Sequence, residues 1–466
     1  MPRVGERNIG VLLLALWLAS PAFAARPASA VSLDSALGYP LVVHSPADHK
    51  PLATKIRDAA DQAWKSEIVE AGWTAPPPDQ GGPDDRFDIY IDPALGPGDG
   101  YVEPEDEVGS TSRYDQTSYM GLPARFPSDA AIRSTVAHEL NHASQFAMDA
   151  AEDDAFFEHT AVFVEQRAVG DFPTYGIGVA DFQSHPERAL TYLGLDDQFE
   201  YGAALWLMFL SERLGDGGQA LPIRLWQRTQ QASATNQPHF LNALDEILQE
   251  KGWSRARFFA TFAAWRWFTG KRDDGRHFRV GKEWGDGSLV IAKPVMLPCR
   301  TGTSLAAYGS DFLSLDLSGD AQALNVELDP PGAVATVVPF DVNGKVIGEE
   351  QIVERSGMVA LPPGVAKILV AITWVPADYD PEKKDWKARS ITVSLSAAAE
   401  ADGAITAGSA LDAGLADSAA ANLSPTSVGC SMVDGARRDD GWIRCLIAFA
   451  FTTCAARFRS RCGRRV

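Results

Sequence analysis

The chain has 466 residues, a formal net charge of −19 and an apolar fraction of 45%. That apolar content supports sizeable cores, and the length is enough for about two or three domains. The negative charge argues against nucleic acid and anionic membrane surfaces as partners, because both are themselves negatively charged.

The first 24 residues have the pattern of a secretory signal peptide. Arg3 and Arg7 precede an apolar stretch at 9–18, and Ala22-Phe23-Ala24 matches the small-residue pattern at which such peptides are cleaved. The apolar stretch is shorter than the roughly 20 residues that a membrane-spanning helix needs. We therefore expect a secreted protein, extracellular or at the cell surface.

Four elements are predicted before the central motif. Apolar residues recur at helical spacing over 51–73, and alternation predicts a strand over 87–91. The acidic segment 92–109 contains glycine and proline and is predicted to be a solvated loop, since its carboxylates lack calcium-loop spacing. A short strand is expected at 118–121.

The next helix carries an H-E-x-x-H motif, with His138, Glu139 and His142. Apolar residues at helical spacing surround the motif, and Pro127-Ser128-Asp129 indicates the start of the helix. Positions i and i+4 share one face of a helix, so both imidazoles could bind one metal ion while Glu139 lies beside the open coordination position. The motif arises by chance in roughly one chain of this size in a hundred, but its helical setting favours a metal site.

A third protein ligand is expected in the helical segment 154–165. Glu158 lies sixteen positions after His142, and His159 follows it directly. Adjacent helical residues diverge by about 100°, so only one of the two can face the metal. Glu158 is the preferred candidate and His159 the alternative. Glu165 is either a partner of a ligand histidine or a solvated carboxylate.

This pattern resembles the gluzincin clan of zinc metallopeptidases, in which H-E-x-x-H is followed by a glutamate ligand on a second helix. Glu158 corresponds to that ligand, and Ala161 and Glu165 are also in register, whereas Phe157 and His159 depart from the family's usual Trp and Gly.

The resemblance implies a Zn²⁺ cofactor, a protein or peptide substrate, and Glu139 as general base. It also implies that the strand at 118–121 borders the cleft and that a tyrosine donates a hydrogen bond to the developing oxyanion. Tyr201 is the candidate for that role, with Tyr192 second, and the alternative is a tyrosine of the core.

Helices are predicted over 200–215, 239–252 and 254–269, followed by short strands from about residue 298. Asn343-Gly344 is a strong hairpin signal between two of these strands. The fold class expected is α+β: a gluzincin-like catalytic domain, with a small sheet and a mostly helical half, followed by an antiparallel β-sandwich.

The composition of the last part of the chain, from residue 398, differs from that of the preceding predicted domains. Residues 398–429 are rich in Ala, Ser and Gly and are predicted to be a flexible linker. The segment 430–466 begins at Cys430, directly after Gly429, and contains a short apolar run and terminal arginines. It resembles the C-terminal sorting tail of myxobacterial surface proteins, in which a Gly-Cys element precedes a short hydrophobic helix. The alternative is a disordered, amphipathic end. Four of the five cysteines lie in this last segment, so no disulfide framework is expected in the folded part.

The domains predicted are therefore a signal peptide at 1–24, a zinc metallopeptidase-like domain at 33–295, a β-sandwich at 298–397, a linker at 398–429 and an anchor tail at 430–466. The predicted function is that of a secreted zinc-dependent endopeptidase, closest to secreted metalloproteases of myxobacterial type, with possible cell-envelope attachment through the tail. Two alternatives stay open: an inactive, peptidase-like surface adhesion or structural protein, and a metal hydrolase acting on a non-peptide ester or amide.

Overall fold

The computed structural model describes residues 26–398, except 79–81, 98–99, 110, 170–172, 195–196, 286–287, 318–320 and the side chains of 173–177. The predicted signal peptide, nearly all of the predicted linker and the predicted tail lie outside the described residues. Over the described part the fold is α+β.

The N-terminal part contains a mixed sheet, which has five strands over the described residues. In spatial order these are β1, β2, β3, β5 and β4, with β2, β3 and β5 parallel to one another and both edge strands antiparallel to their neighbours. The strands are β1 (Val31–Asp34), β2 (Leu41–Ser45), β3 (Phe87–Asp92), β4 (Tyr101–Glu107) and β5 (Gln116–Pro123).

Helices make up the rest of the N-terminal part. They are α1 (Lys50–Trp64), continued by a π-helical segment (Lys65–Ala71), α2 (Asp129–Phe146), α3 (Asp154–Val169), α4 (Pro173–Ser184), α5 (Phe199–Ala203), α6 (Leu205–Leu214), α7 (Ala220–Thr229), α8 (Phe240–Glu250) and α9 (Arg255–Trp265).

The helix α2 lies at the centre of this part. Ser128 caps it, its side chain accepting a hydrogen bond from Ala131 N at 3.1 Å. One face packs on α1 and on the apolar face of the sheet, where residues such as Ile89 and Met120 belong to the same core cluster. Another face packs on α3. Because neighbours cover α2 on several sides, nearly every residue from Ser134 to Phe146 is buried, polar ones included.

Arg26 holds the edge strand β4 against the sheet. Its guanidinium forms ion pairs with Asp88 of β3 and Glu105 of β4 and lies over the ring of Tyr119 at 5.0 Å. This contact gives Glu105 a buried countercharge and so allows an acidic segment to pack as a strand.

A β-sandwich follows, with sheets of five and four strands in the described chain. The first has the order β11, β10, β13, β8, β6, and the second β12, β9, β14, β7. The strands are β6 (Lys293–Val295), β7 (Cys299–Leu305), β8 (Ser310–Asp316), β9 (Ala323–Asp329), β10 (Ala333–Phe340), β11 (Gln351–Glu354), β12 (Ser356–Ala360), β13 (Lys367–Trp374) and β14 (Arg389–Ala398). All pairings are antiparallel except that of β6 with β8, which is parallel.

The sandwich and the helical part share a core. Alanines of α9 pack with Phe312, Phe340 and Leu369 on the outer face of the first sheet, and Thr336 Oγ1 donates to Ala260 O at 2.8 Å. A separate apolar layer fills the space between the two sheets. The β13–β14 connection also reaches the first turn of α3, where Lys384 Nζ lies 2.9 Å from Asp154 Oδ2. The sandwich therefore completes the core of the helical part.

Several predicted elements differ from those observed. The loop predicted over 92–109 is wrong for Tyr101–Glu107, which form β4. The strand predicted at 118–121 is the inner strand β5, so β4 and not β5 is the edge. The helix predicted over 200–215 is divided at Ala204 into α5 and α6. Short strands were expected from about residue 298, whereas β6 begins at Lys293.

None of the helices within the described residues is both long enough and apolar enough to cross a membrane.

Candidate metal centre

The helix α2 brings His138 and His142 together on one face. Their Nε2 atoms lie 3.0 Å apart and both rings are buried, with exposed fractions of 5% and 4%. This is the geometry that the i and i+4 spacing predicts.

The neighbouring helix α3 adds Glu158 to the pair. Its Oε2 atom lies 3.2 Å from His138 Nε2 and 3.8 Å from His142 Nε2. Ligand atoms placed tetrahedrally at 2.0–2.1 Å from a zinc ion are about 3.3 Å from one another, close to the spacing in this triangle. No other group of His, Cys, Asp or Glu side chains among the described residues has this convergence.

Hydrogen bonds on the far side of each imidazole fix its orientation. His138 Nδ1 lies 3.3 Å from Glu165 Oε2, and Ser134 donates to the other oxygen of Glu165. His142 Nδ1 lies 2.7 Å from Gln145 Oε1. Since an oxygen faces each Nδ1, that nitrogen carries a proton, which leaves each Nε2 to bind either a metal ion or a second proton at the centre of the triangle. Two lone pairs and a carboxylate oxygen repel one another unless a cation lies between them, so the residues fit a metal ion.

The electrostatics of the group agree with this interpretation. Burial lowers the pKa of His142 to about 4, which keeps the ring neutral at pH 7 and able to act as a ligand. Burial opposes protonation of His138 as well, but Glu158 and Glu165 outweigh it and raise the pKa of that ring well above its ordinary value. Burial acts against ionisation of Glu158, yet the two histidines lower the pKa of its carboxyl. The centre therefore favours positive charge.

His159 points away from this triangle. Trp206 Nε1 donates to its Nδ1 at 3.1 Å, and burial lowers the pKa of the ring to about 3. Its Nε2 has no hydrogen-bond partner among the described residues. Of the two candidates on α3, the structure places Glu158 with the histidines and His159 in the core beside Trp206.

Glu139 lies beneath the segment that leads into β4. Its side chain is 2% exposed. A Cβ atom added to Gly100 would stand 2.6 Å from Glu139 Oε1, so backbone approaches the carboxylate as closely as glycine permits. This contact is tertiary, and the local sequence around Gly100 gave no signal of it.

Tyr201 lies near the centre, on α5. Its ring centroid is 6.0 Å from that of His138, and 7% of the residue is exposed. The next residue, Gly202, packs against α4, where a Cβ would meet Gly178 O at 1.8 Å, so glycine lets these helices approach closely. The second candidate, Tyr192, packs against Phe199 and Trp386 instead.

No family model matches the chain, and no curated protein does. Solved structures show remote likeness. PliG of Salmonella Typhimurium, a periplasmic inhibitor of g-type lysozyme, is 17% identical over 23% of this chain and 98% of its own, with a TM-score of 0.18. The pre-peptidase C-terminal domain of a Bacillus anthracis collagenase is 14% identical over 22% of this chain and 94% of its own, at a TM-score of 0.15.

A third likeness extends over more of the chain. Aminopeptidase A of Legionella pneumophila is 11% identical over 75% of this chain, with a TM-score of 0.34. The match covers 36% of the aminopeptidase, so this chain corresponds to about a third of that protein's length. The chain thus has weak structural similarity to an aminopeptidase and a buried His-His-Glu group that could bind a metal.

Proposed function

We propose that the protein is a zinc-dependent peptidase whose metal is held by His138, His142 and Glu158. The observation that carries the proposal is the triangle of two Nε2 atoms and one carboxylate oxygen, with sides of 3.0, 3.2 and 3.8 Å. Imidazole nitrogen and carboxylate oxygen are ligands that zinc accepts, and three protein ligands are typical of a catalytic zinc.

We assign different roles in hydrolysis to different residues of the chain. A bound zinc ion would supply Lewis acidity and lower the pKa of a coordinated water to about 7. Glu139, next to His138 in sequence, accepts the proton of the attacking water and passes it to the leaving amine. Tyr201 keeps its proton and donates a hydrogen bond from its hydroxyl to the oxygen that gains negative charge.

The edge strand β4 provides a surface for an extended peptide. Among the described residues it is the outermost strand of its sheet, and it continues directly from Gly100, which touches Glu139. A peptide paired with such an edge places its backbone in a defined register, as in other strand-addition complexes. We therefore propose protein or peptide substrates, bound along β4 instead of the strand first expected.

Export and attachment are further parts of the proposal. They rest on the secretory pattern of residues 1–24 and on the sorting-like composition of 430–466. We propose a secreted protein that is held at the cell envelope through its C-terminal tail.

Metal removal tests the proposal. Full-length protein incubated with a chelator is expected to lose hydrolysis of a mixed peptide library, and stoichiometric zinc is expected to restore it. Mass spectrometry of the peptide products measures hydrolysis in both the chelator-treated and the zinc-restored protein. Hydrolysis that survives complete zinc removal would exclude the mechanism.

The same experiment separates the alternatives. His159, at a position where the resembled family commonly has Gly, favours a catalytically inactive surface protein as the second candidate. That candidate predicts one zinc per chain and no cleaved peptide. Turnover of aryl esters or amides without peptide cleavage would instead identify a non-peptide hydrolase.

Gly100→Ala is expected to lower kcat/KM about 100-fold while leaving zinc content unchanged. The added methyl group would displace the Glu139 carboxylate, and a misplacement of about 1 Å at a reacting group costs on the order of that factor. Gly109→Ala is the matched control, because a Cβ there meets nothing within 4 Å. Equal activity of both variants and wild type would show that Glu139 does not depend on this contact.

A further inference from the structure

We infer that Gln145 is a positioning residue that fixes the tautomer of His142 and joins the two helices that carry the metal ligands. The inference rests on the proposed zinc site. Gln145 is fully buried and lies on α2, three residues after His142.

The Gln145 side chain forms three contacts with different partners. Its Oε1 lies 2.7 Å from His142 Nδ1. Its Nε2 donates to Asn141 Oδ1 at 3.0 Å and to Phe157 O at 3.0 Å. The amide therefore uses both of its hydrogens and its oxygen in one buried network.

The backbone carbonyl of Phe157 sets the orientation of the amide. A carbonyl oxygen can only accept, so the Gln145 nitrogen must face Phe157 and the oxygen must face His142. His142 Nδ1 must then carry the proton, which leaves Nε2 with the lone pair that a metal needs. A backbone atom thus determines which nitrogen of a ligand histidine is available.

The same contact joins the ligands across two helices. Phe157 directly precedes Glu158, so the bond from Gln145 to Phe157 O anchors α3 at the residue next to the third ligand. Asn141 extends the network, since its Nδ2 lies 3.5 Å from the buried Glu67 on the π-helical segment. Gln145 therefore sets both the chemistry of His142 and the spacing between α2 and α3.

Gln145→Met tests this role, because methionine keeps the length of the side chain and removes both the acceptor and the donor. We expect the zinc dissociation constant of the full-length variant, measured by competition with a chromophoric chelator, to rise 10- to 100-fold. The visible spectrum of the Co²⁺-loaded protein is expected to change as well, since it reports the ligand geometry.

Gln183→Met is the matched control. Gln183 is another buried glutamine whose amide both accepts and donates, accepting from Arg266 Nε at 2.8 Å and donating to Arg266 O at 2.9 Å. It is expected to lose stability and keep the wild-type zinc affinity. Unchanged zinc affinity of Gln145→Met, or an equal loss in both variants, would overturn the inference.

A second measurement applies if Gln145→Met does not fold. In zinc-free wild-type protein labelled with ¹⁵N-histidine, His142 is expected to show the Nδ1–H tautomer, and an Nε2–H tautomer would contradict the role. Neither readout uses hydrolysis. A wild type that binds zinc but cleaves no peptide would refute the proposed function and leave the role of Gln145 open to these tests.

Discussion

Glu158→Ala is expected to remove stoichiometric zinc from the protein, whereas His159→Ala is expected to keep it. Glu158 supplies the oxygen that lies 3.2 Å and 3.8 Å from the two Nε2 atoms. Without it two imidazoles remain, fewer than the three protein ligands typical of a catalytic zinc. Elemental mass spectrometry of the purified full-length proteins measures the metal directly.

The neighbouring variant acts as the control because it alters the same helix. His159→Ala removes the acceptor of the Trp206 indole and opens space in the core, so it is expected to lose about 1–3 kcal/mol of stability without losing zinc. Zinc lost from His159→Ala and retained in Glu158→Ala would reverse the assignment. A wild type without stoichiometric metal would refute the site.

Glu139→Gln is expected to retain zinc and fold while losing about 10²- to 10⁴-fold in kcat/KM. The amide has the shape of the carboxylate but cannot accept a proton, and general-base catalysis contributes a factor of this size. Because Glu139 is not among the converging ligand atoms, metal content should stay at the wild-type value. Peptide hydrolysis under saturating zinc checks the rate.

Glu152→Gln provides the matched control for that variant. Glu152 is also buried, and burial raises the pKa of its carboxyl well above the ordinary value. An amide there keeps the oxygen that accepts a hydrogen bond from Asn236 Nδ2 at 3.0 Å. We expect it to keep wild-type turnover. Glu139→Gln with undiminished hydrolysis in a preparation free of other peptidases would remove Glu139 from its role.

The local sequence predicted those features that depend on short-range geometry. The i and i+4 spacing of His138 and His142 placed two imidazoles on one face of a helix. Asn343-Gly344 marked the turn between β10 and β11, where Gly344 has a φ of +78°. The change from helical to strand periodicity near residue 298 predicted the change from helices to strands, although the first strand, β6, begins at Lys293.

Features that depend on contacts between distant segments could not be predicted from local sequence patterns. The acidic β4 is a strand because it pairs with β5 and because Arg26 neutralises Glu105. The orientation of α3 turns Glu158 toward the two histidines and His159 toward Trp206, whose indole donates a hydrogen bond to it. The approach of Gly100 to Glu139 likewise joins segments that are far apart in the chain.

The core shared by α9 and the first sheet of the sandwich has a consequence for biosynthesis. Synthesis from the N-terminus produces both histidines and Glu158 early, but β8, β10 and β13 follow only after α9. During that interval the apolar face of α9 that later packs on Phe312 is exposed to solvent. Transiently exposed apolar surfaces make a folding chain prone to aggregation. That face can be fully covered only after the chain has been synthesised to about residue 374, so the core of the part that carries His138, His142 and Glu158 depends on strands far along the chain.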